Sequence, residues 1–422
     1  IVMSFLFKRQ RAVYLILLIF PGFWAGAQDV DYAGEMISKL CSPSFHGRGY
    51  YKQGDLKSAK YIAKEFDRNG LDQFNGSWFQ EFDVNINILN GDVSVRVDNE
   101  KLAPGTEFLV ASSSPTLHGT FPVYWDVRPE DDTVRHTNPP SDTYFPVTKQ
   151  GIKELEEDFP YTTPGAVIVR DSGKNMWWHV SNGRMPGEHC LVIIRSDKIN
   201  KKSGLITVNV DTEYEPSYST RNVAGYIRGA SQPDSFIVFT AHYDHLGRMG
   251  KDTYFPGAND NASGTAMITD LARHFSQEEN RPGCSIAFIA FGGEEIGLEG
   301  SLYFANNPLL PLEKIKMLIN LDMVGTGDDG ITVVNGSVLE EEFSMLKQIN
   351  EKQGYLKEVK SRGESCNSDH CPFYEKGVHS FFIYSRSKIF NEYHSLEDNP
   401  EKLPLNGYEG LFRLLVDFTK EI

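Results

Sequence analysis

Short apolar runs alternate with stretches of helical periodicity from Thr220 to the end of the chain. Runs of strand length occupy residues 236–241, 286–291 and 317–321. Helical patterns cover residues 262–275, 298–305, 339–352 and 408–420. Strands that alternate with helices are typical of a largely parallel sheet covered on both faces. We therefore predict an α/β fold in which a mostly parallel sheet is flanked by helices.

The first half of the chain shows two different patterns. Helical periodicity at residues 34–40 and 56–69 predicts that residues 28–85 are the N-terminal part of the domain completed by residues 216–422. Between them, alternating runs such as residues 93–97 and 166–170 are mixed with proline and glycine turns. This pattern predicts a β-rich inserted subdomain over residues 86–215.

The N-terminus has the features of a signal peptide covering residues 1–27. Three basic residues precede a short apolar stretch, and Ala25-Gly26-Ala27 provides small residues at a cleavage site. No later run of about 18 apolar residues follows, so we expect no membrane span after cleavage. The protein is expected to be secreted or periplasmic, where Cys366 and Cys371 lie close enough in sequence to form a disulfide.

Composition adds one restriction on partners. The formal net charge is −15. Nucleic acids and anionic membranes both bind basic surfaces, so neither is an expected partner.

Chemistry-bearing residues follow the three predicted strands directly. His242-Tyr-Asp-His245 comes after the first, Gly292-Gly-Glu-Glu295 after the second, and Asp322 after the third. The carboxyl ends of strands in such sheets gather ligand-binding side chains at one edge. Because a buried carboxylate is costly unless it is paired or metal-bound, this grouping predicts a cation site.

The types of ligand indicate the metal. Imidazoles and several carboxylates without a thiolate suit zinc or a similar divalent ion, and the carboxylates are more than one zinc ion needs. Two ions about 3.5–4 Å apart with a bridging carboxylate would use them all. Asp260 suits the bridging position, because it lies in the tight, glycine-containing loop of residues 256–264.

Six ordered blocks resemble the M28 family of zinc aminopeptidases and carboxypeptidases. They are HYDH (242–245), GANDNASGTA (257–266), AFGGEEIGLEGS (290–301), NLDMVG (320–325), SDHCPF (368–373) and YHSLEDNPEKL (393–403). The resemblance spans residues 220–422 and extends more weakly over residues 34–85. It implies two Zn²⁺ per chain and the ligands His242, Asp260, Glu295, Asp322 and His394.

The resemblance also implies a role for each of these residues. Asp260 would bridge the ions, Glu295 and His394 would complete one ligand set, and His242 and Asp322 the other. Glu294, which adjoins a ligand, would act as general base toward the attacking water.

Neighbouring residues are expected to support these ligands or to lie beside them. Asp244 is expected to orient His242, and Tyr393 to donate a hydrogen bond to the oxyanion. His245, Asp369 and His370 lie in the same blocks, where structural hydrogen bonds explain them equally well. Trp177, Trp178 and His179 could roof the cleft, but packing is the commoner role of such residues, and they are left outside the predicted site.

An aminopeptidase acting on peptides with a free N-terminus is the predicted function. A carboxypeptidase of the same family would need a cation for the substrate carboxylate, and Arg248, Arg386 and Lys388 are the candidates. A glutaminyl cyclase, a transferase on a related scaffold with one zinc ion, is a further alternative. A non-enzymatic binding module should have lost ligands or the base, and the sequence retains them all.

The inserted region is expected to form a lid or rim that favours small or unstructured peptides.

Overall fold

A nine-stranded mixed sheet forms the centre of the computed structural model. The structure describes residues 30–122, 145–148, 167–171, 176–180, 186, 190–195, 197–200 and 202–422. The predicted signal peptide, residues 1–27, lies outside the described residues, as does much of the region from 123 to 189. Within the described ranges, no helix is both long enough and apolar enough to cross a membrane.

The strands are numbered in chain order, with the following bounds: β1 Asp72–Gln73, β2 Phe79–Ile88, β3 Val93–Val97, β4 Glu100–Lys101, β5 Phe108–Val110, β6 Leu117–Pro122, β7 Phe145–Thr148, β8 Val167–Asp171, β9 Cys190–Ile194, β10 Leu205–Val210, β11 Glu213–Ile227, β12 Gln232–His242, β13 Arg248–Met249, β14 Thr253–Tyr254, β15 Cys284–Phe291, β16 Ile315–Leu321, β17 Ile331–Val334, β18 Val359–Ser361 and β19 Ser380–Ser385. The helices are α1 Val30–Leu40, α2 Gly54–Arg68, α3 Gly264–Phe275, α4 Glu299–Asn306, α5 Glu340–Gln353, α6 Cys371–Tyr374 and α7 Tyr408–Glu421.

The central sheet has the order β1-β11-β15-β12-β16-β19-β17-β18, and β2 also pairs with β11. Its middle is parallel, because β12 runs parallel to both β15 and β16, and β16 runs parallel to β19. Antiparallel pairing begins on either side, at β11 with β15 and at β17 with β19. The predicted fold class is confirmed: the sheet is mostly parallel at its centre and is flanked by helices.

Both faces of the central sheet are covered, which explains the continuous apolar runs in its strands. In β15, Ile286, Phe288 and Ala290 pack into a core shared with α1, α2, α3 and α7. The intervening Ala287, Ile289 and Phe291 pack on the other face, against Phe304 of α4 and Phe373 of α6. Strand side chains alternate between faces, so each face needs its own apolar set.

The start of α3 differs from the predicted helix over residues 262–275. Residues Ala258–Ser263 form a π-type turn, and regular helix begins at Gly264. Asp260 and Asn261 have non-helical backbone angles there. The amide of Asn261 accepts the N–H of Gly264 at 2.9 Å and donates to the carbonyl of Leu321 at 2.9 Å. Asn261 therefore joins this turn to the end of β16.

The chain leaves the central sheet along β2 and returns along β11, and two smaller sheets lie between these strands. One has the order β4-β3-β10-β6 and is antiparallel throughout. The other has the order β5-β9-β8-β7. The β-rich character predicted for residues 86–215 fits these sheets, while the boundaries at 86 and 215 remain a prediction. Their shared core includes Leu246, Met249 and Phe255, which follow the inserted region in the chain.

Cys366 and Cys371, which lie close enough in sequence to bridge, form a disulfide. It closes a short loop of separation 5 before α6. Cys41, Cys190 and Cys284 are buried thiols.

Candidate metal centre

Three buried strands end at the same level and supply the first side chains of the centre. His242 is the last residue of β12 and pairs with Phe291, the last residue of β15. On the other side of β12, Thr240 pairs with Asn320 of β16, so Asp322 follows within two residues. The parallel register therefore brings His242, the loop after Phe291 and Asp322 to one edge of the sheet, as the sequence predicted.

Asp260 reaches this edge from the turn before α3. The two side-chain oxygens of Asp398 accept the main-chain N–H groups of Asn259 at 2.8 Å and of Asp260 at 3.0 Å. Gly257 has φ 61°, and a Cβ there would lie 2.2 Å from the carbonyl oxygen of Asp260 and 2.3 Å from the ring of His245. Only glycine therefore fits at this point of the loop.

A buried arginine binds the main chain of the same loop. Arg48 is fully buried and donates to the main-chain carbonyls of Tyr243, Pro256, Gly257 and Asp260 at 2.5–3.1 Å. A guanidinium carries five donors in a rigid fork, so one side chain can fix several carbonyls at once. Sequence reasoning assigned no role to Arg48, although it lies within the weaker family block.

The carboxylate of Asp260 lies between two imidazoles. Its Oδ1 is 3.3 Å from Nε2 of His242, and its Oδ2 is 3.0 Å from Nε2 of His394. Asp322 Oδ1 also lies 3.3 Å from the His242 nitrogen, and Glu295 Oε2 lies 3.2 Å from the His394 nitrogen. The structure thus brings together the predicted ligands His242, Asp260, Glu295, Asp322 and His394 as two clusters that share one carboxylate.

Glu294 lies farther from His242 than Asp260 and Asp322 do, although its carboxylate is also within 4.8 Å of ligand atoms of His242 and Glu295. Its Oε2 is 3.9 Å from Nε2 of His242, and the residue is only partly buried. The main-chain N–H groups of Glu294 and Glu295 are 3.2 and 3.3 Å from the two carboxylate oxygens of Asp244. Asp244 therefore fixes the turn that presents both glutamates.

The expected contact between the Asp244 side chain and His242 needs correction. The carboxylate of Asp244 is 3.8 Å from Nδ1 of His242, beyond hydrogen-bond distance. The main-chain carbonyl of Asp244 lies nearer, at 3.2 Å. The carbonyl therefore accepts from the imidazole, because the carboxylate is already used by the Glu294 and Glu295 amides.

The buried charges of the cluster are unbalanced without a cation. Burial would lower the pKa of His242 and of His394, but the surrounding carboxylates outweigh it and raise that of His394 to about 11. Burial would raise the pKa of Asp260 and Glu295, but the imidazoles hold both below their usual values, Glu295 at about 2. Glu294 is the exception: burial raises its pKa well above the usual range despite the opposing effect of His242.

The donor set fits a zinc centre. Ligand atoms of His242, Asp260 and Asp322 lie within 4.8 Å of one another, as do those of His245, Asp260 and Glu295. Nitrogen and carboxylate oxygen are the donors that zinc takes from such residues. Among the described residues, one further group of possible metal ligands contains cysteines. These are Cys366 and Cys371, which are joined to each other as a disulfide.

His245 has a closer relation to the centre than the sequence indicated. Its Nδ1 is 2.7 Å from Oε1 of Glu295, while its Nε2 meets no hydrogen-bond partner among the described residues. The ring is buried, and burial lowers its pKa. The neutral ring therefore orients Glu295 through Nδ1–H.

A relay of polar groups supports Asp322. Its Oδ2 accepts from the hydroxyl of Ser368 at 2.9 Å, and Ser368 accepts from the amide of Asn320 at 2.8 Å. Thr240 donates to the same amide group at 2.8 Å. These contacts are invisible in a single sequence, because they join strand residues to a loop 48 positions away.

Tyr393 lies at the open side of the centre. Its ring stacks on that of His394, with centroids 3.8 Å apart and an interplanar angle of 16°. Burial and the four nearby carboxylates raise its pKa, so its hydroxyl keeps its proton. A protonated phenol beside the predicted metal ligands can act as a hydrogen-bond donor.

The cations considered for a carboxypeptidase are engaged elsewhere. Arg386 pairs with Asp329 and Glu358, and Lys388 pairs with Asp329 at 3.3 Å. Arg248 donates to Nδ1 of His46 at 3.1 Å and to the carbonyl of Lys251 at 2.6 Å.

One part of the inserted region reaches the centre. Trp177 lies edge-on to Tyr393 with centroids 6.1 Å apart, and His179 lies beside His394 with centroids 4.8 Å apart. The interpretation of these aromatic residues as packing holds for Trp178, which is 2% exposed, but not for its two neighbours. The adjacent pair of tryptophans was the one available signal in the sequence.

Comparisons with known proteins find similarity to peptidases. Residues 222–419 match the model of Peptidase family M28. The chain is 31% identical over 195 residues to an aminopeptidase, YwaD, of Bacillus subtilis, a match that covers 44% of this chain and 41% of that protein. It is 28% identical over 243 residues to a glutamate carboxypeptidase 2 homolog of Caenorhabditis elegans, covering 52% of this chain and 29% of that protein. The matched part of the chain thus spans less than half the length of these curated relatives.

A solved structure extends the likeness over most of the chain. The crystal structure of a zinc aminopeptidase from Bacillus subtilis superposes with a TM-score of 0.71, at 21% identity, covering 93% of this chain and 95% of that one. At this identity the likeness shows a common fold, and the chemistry must be argued from the residues themselves.

Proposed function

We propose that the protein, whose residues 222–419 match the model of Peptidase family M28, is a secreted two-zinc aminopeptidase. The observation that carries the proposal is the placement of Asp260, whose two oxygens face Nε2 of His242 and Nε2 of His394 at 3.3 and 3.0 Å. One carboxylate between two imidazoles suits a pair of neighbouring ions that share a ligand.

Each ion would be held by the residues already grouped around it. His242 and Asp322 would hold one, His394 and Glu295 the other, and Asp260 both. When bound, such a pair supplies Lewis acidity toward the scissile carbonyl and lowers the pKa of an attacking water to around 7.

Glu294 moves the proton in the proposed mechanism. Its carboxylate lies 3.9 Å from Nε2 of His242, so it adjoins the ligands without belonging to them. It takes a proton from the attacking water and transfers it to the nitrogen of the leaving group. Burial raises the pKa of Glu294, and a higher pKa makes its carboxylate a stronger base toward the attacking water.

Tyr393 would donate a hydrogen bond to the oxygen of the cleaved carbonyl as negative charge develops there. The stacking of its ring on His394 holds it next to that ligand. A fixed donor of this kind stabilises the transition state more than the ground state.

The preference for a free N-terminus rests on the cations that could bind a substrate carboxylate. Arg386 and Lys388, two of the three candidates, pair with Asp329. These pairs occupy both side chains, which favours an aminopeptidase over a carboxypeptidase.

The test combines metal content with substrate discrimination. Purified protein should bind two zinc ions per chain, cleave peptides with free N-termini, spare N-acetylated ones, and lose activity on chelation. Glu294→Gln should keep both ions and lose activity by roughly 10²–10⁴-fold, since it removes only the proton acceptor. Glu341→Gln, an exposed glutamate on α5, is the matched control and should retain full activity.

The outcomes separate the alternatives. One zinc ion per chain with cyclisation of N-terminal glutamine would establish a glutaminyl cyclase instead. Release of C-terminal residues from N-acetylated peptides would establish a carboxypeptidase. Absence of bound metal would refute the proposal altogether.

Secretion is a separate part of the proposal. It rests on the basic and apolar pattern of residues 1–27. N-terminal sequencing of protein exported by a host with a secretory pathway should show cleavage after Ala27, whereas an intact N-terminus on cell-associated protein would contradict it.

A further inference from the structure

Residues 176–180 of the inserted region are anchored by one tryptophan. Trp178 is 2% exposed and stacks on Phe255, with centroids 4.8 Å apart. Its indole N–H donates to the main-chain carbonyl of Val110 in β5 at 2.7 Å. The segment is therefore held between β5 of the inserted sheets and Phe255, which follows the inserted region in the chain.

This anchor places the segment directly on His394. The main-chain N–H of Trp178 donates to the carbonyl of His394 at 3.0 Å. His394 has a φ of 47°, in the left-handed region that non-glycine residues seldom adopt. The hydrogen bond from Trp178 helps to stabilise that backbone conformation, which aims the imidazole at Asp260.

The next residue then contacts the imidazole itself. Nδ1 of His179 lies 3.2 Å from Nδ1 of His394. Nε2 of His394 points the other way, 3.0 Å from Asp260 and 3.2 Å from Glu295. If Nε2 is the ligand atom, its lone pair is used there and the ring hydrogen resides on Nδ1.

We infer that His179 is a positioning residue for the metal ligand His394, accepting a hydrogen bond from its Nδ1–H, so that the inserted region completes the metal centre. The inference rests on the proposed two-metal function. A ligating histidine nearly always donates its second ring N–H to an acceptor, which fixes its tautomer and orientation. His394 takes that acceptor from residue 179, outside the matched residues 222–419.

Metal affinity is the measurement that tests this role. Zinc competition against a chromophoric chelator should resolve two binding steps in the wild-type protein. His179→Leu, which keeps bulk but removes the acceptor, should weaken one step by roughly 10–100-fold and leave the other unchanged. His179→Asn, whose side-chain oxygen can take the place of Nδ1, should recover most of the loss.

A double-mutant comparison assigns the effect to His394. In a His394→Ala background, His179→Leu should cause no further loss of affinity, because the ligand it positions is absent. His118→Ala is the matched control: His118 is an exposed histidine of the same inserted region that contacts Asp211, and its removal should leave both steps unchanged.

Two results would overturn the inference while leaving the proposed function intact. The first is a wild-type protein with two ions whose affinities are unaltered by His179→Leu. The second is an equal loss in His179→Leu and His179→Asn, which would assign the effect to packing. A wild-type protein that binds no zinc would refute the proposed function and this inference together.

Discussion

The central sheet and the inserted sheets expose polar side chains in different ways. In the central sheet, β15 and the C-terminal parts of β12 and β16 are buried on both faces, so the side chains that could bind a ligand are gathered at and just after the strand ends. In the inserted β10, buried and more exposed positions alternate, and the outer face carries the polar Thr207 and Asn209 beside Leu205. A buried parallel sheet therefore concentrates function at one edge, whereas a half-exposed antiparallel sheet disperses polar groups without a focus.

The inserted region nevertheless contributes to the centre, through residues 176–180, which have no regular secondary structure. Irregular segments are free of strand periodicity and can place consecutive side chains on different partners. Trp177 meets Tyr393, Trp178 enters the core, and His179 meets His394. The hydrophobic periodicity of the central strands therefore predicts where the main site lies. The supporting contacts come from residues 176–180, which show no such periodicity.

The largest effect should come from removing the shared carboxylate. Asp260→Asn removes the charge that faces both imidazoles, so we expect weakened binding of both ions and activity reduced to background. Asp98→Asn is the matched control in the inserted sheets, where Asp98 accepts the main-chain N–H groups of Gly204 and Leu205. It should keep two ions and full activity. Retention of both ions by Asp260→Asn would contradict the bridging role.

A smaller loss should follow when Asp244 is altered. Its carboxylate accepts the N–H groups of Glu294 and Glu295, and an amide can accept only one of them through its single oxygen. Asp244→Asn should therefore lower kcat by roughly 10–100-fold while metal binding persists, because the glutamate turn loosens. Kinetics together with metal analysis would check this. A loss of metal equal to that of Asp260→Asn would show that Asp244 acts mainly on the ligands.

The sequence predicted the sheet, its helices and the residues brought to the edge, because buried strands and the residues that end them leave local signals. The bounds of β3 were predicted to the residue, and those of β15 and β16 within two. The sequence could not predict that Arg48, Asp398 and His179 contact and position other residues of the site. Each acts through contacts more than 100 positions away, such as Arg48 with Pro256 and Asp398 with Asn259. No local periodicity records such pairs.

The anchor of residues 176–180 should have a moderate effect on stability. Trp178→Phe keeps most of the buried ring but leaves the carbonyl of Val110 without its donor. We expect a loss of about 1–2 kcal/mol in the free energy of unfolding of the inserted region. Urea unfolding followed by limited proteolysis would measure it. Trp177→Phe, at a 48% exposed position, is the control and should change that free energy by less than about 0.5 kcal/mol.

The smallest effect is expected at Trp177, where we expect the inserted region to contact a peptide substrate. Its ring is 48% exposed and stands edge-on to Tyr393, so it offers an apolar surface beside the ligands. Trp177→Ala should raise KM a few-fold, by about 1 kcal/mol, for peptides with large apolar N-terminal side chains and leave kcat unchanged. Peptides with N-terminal alanine should respond less, because they cover less of the ring.

Leu205 provides a matched control for that change, because it is also 48% exposed but lies on β10 of the inserted sheets. Leu205→Ala should leave KM unchanged for every peptide. If Trp177→Ala and Leu205→Ala behave alike, the contribution of residues 176–180 ends at the metal ligand and does not extend to the substrate. If only Trp177→Ala responds, and only toward apolar peptides, the inserted region takes part in both metal binding and substrate selection.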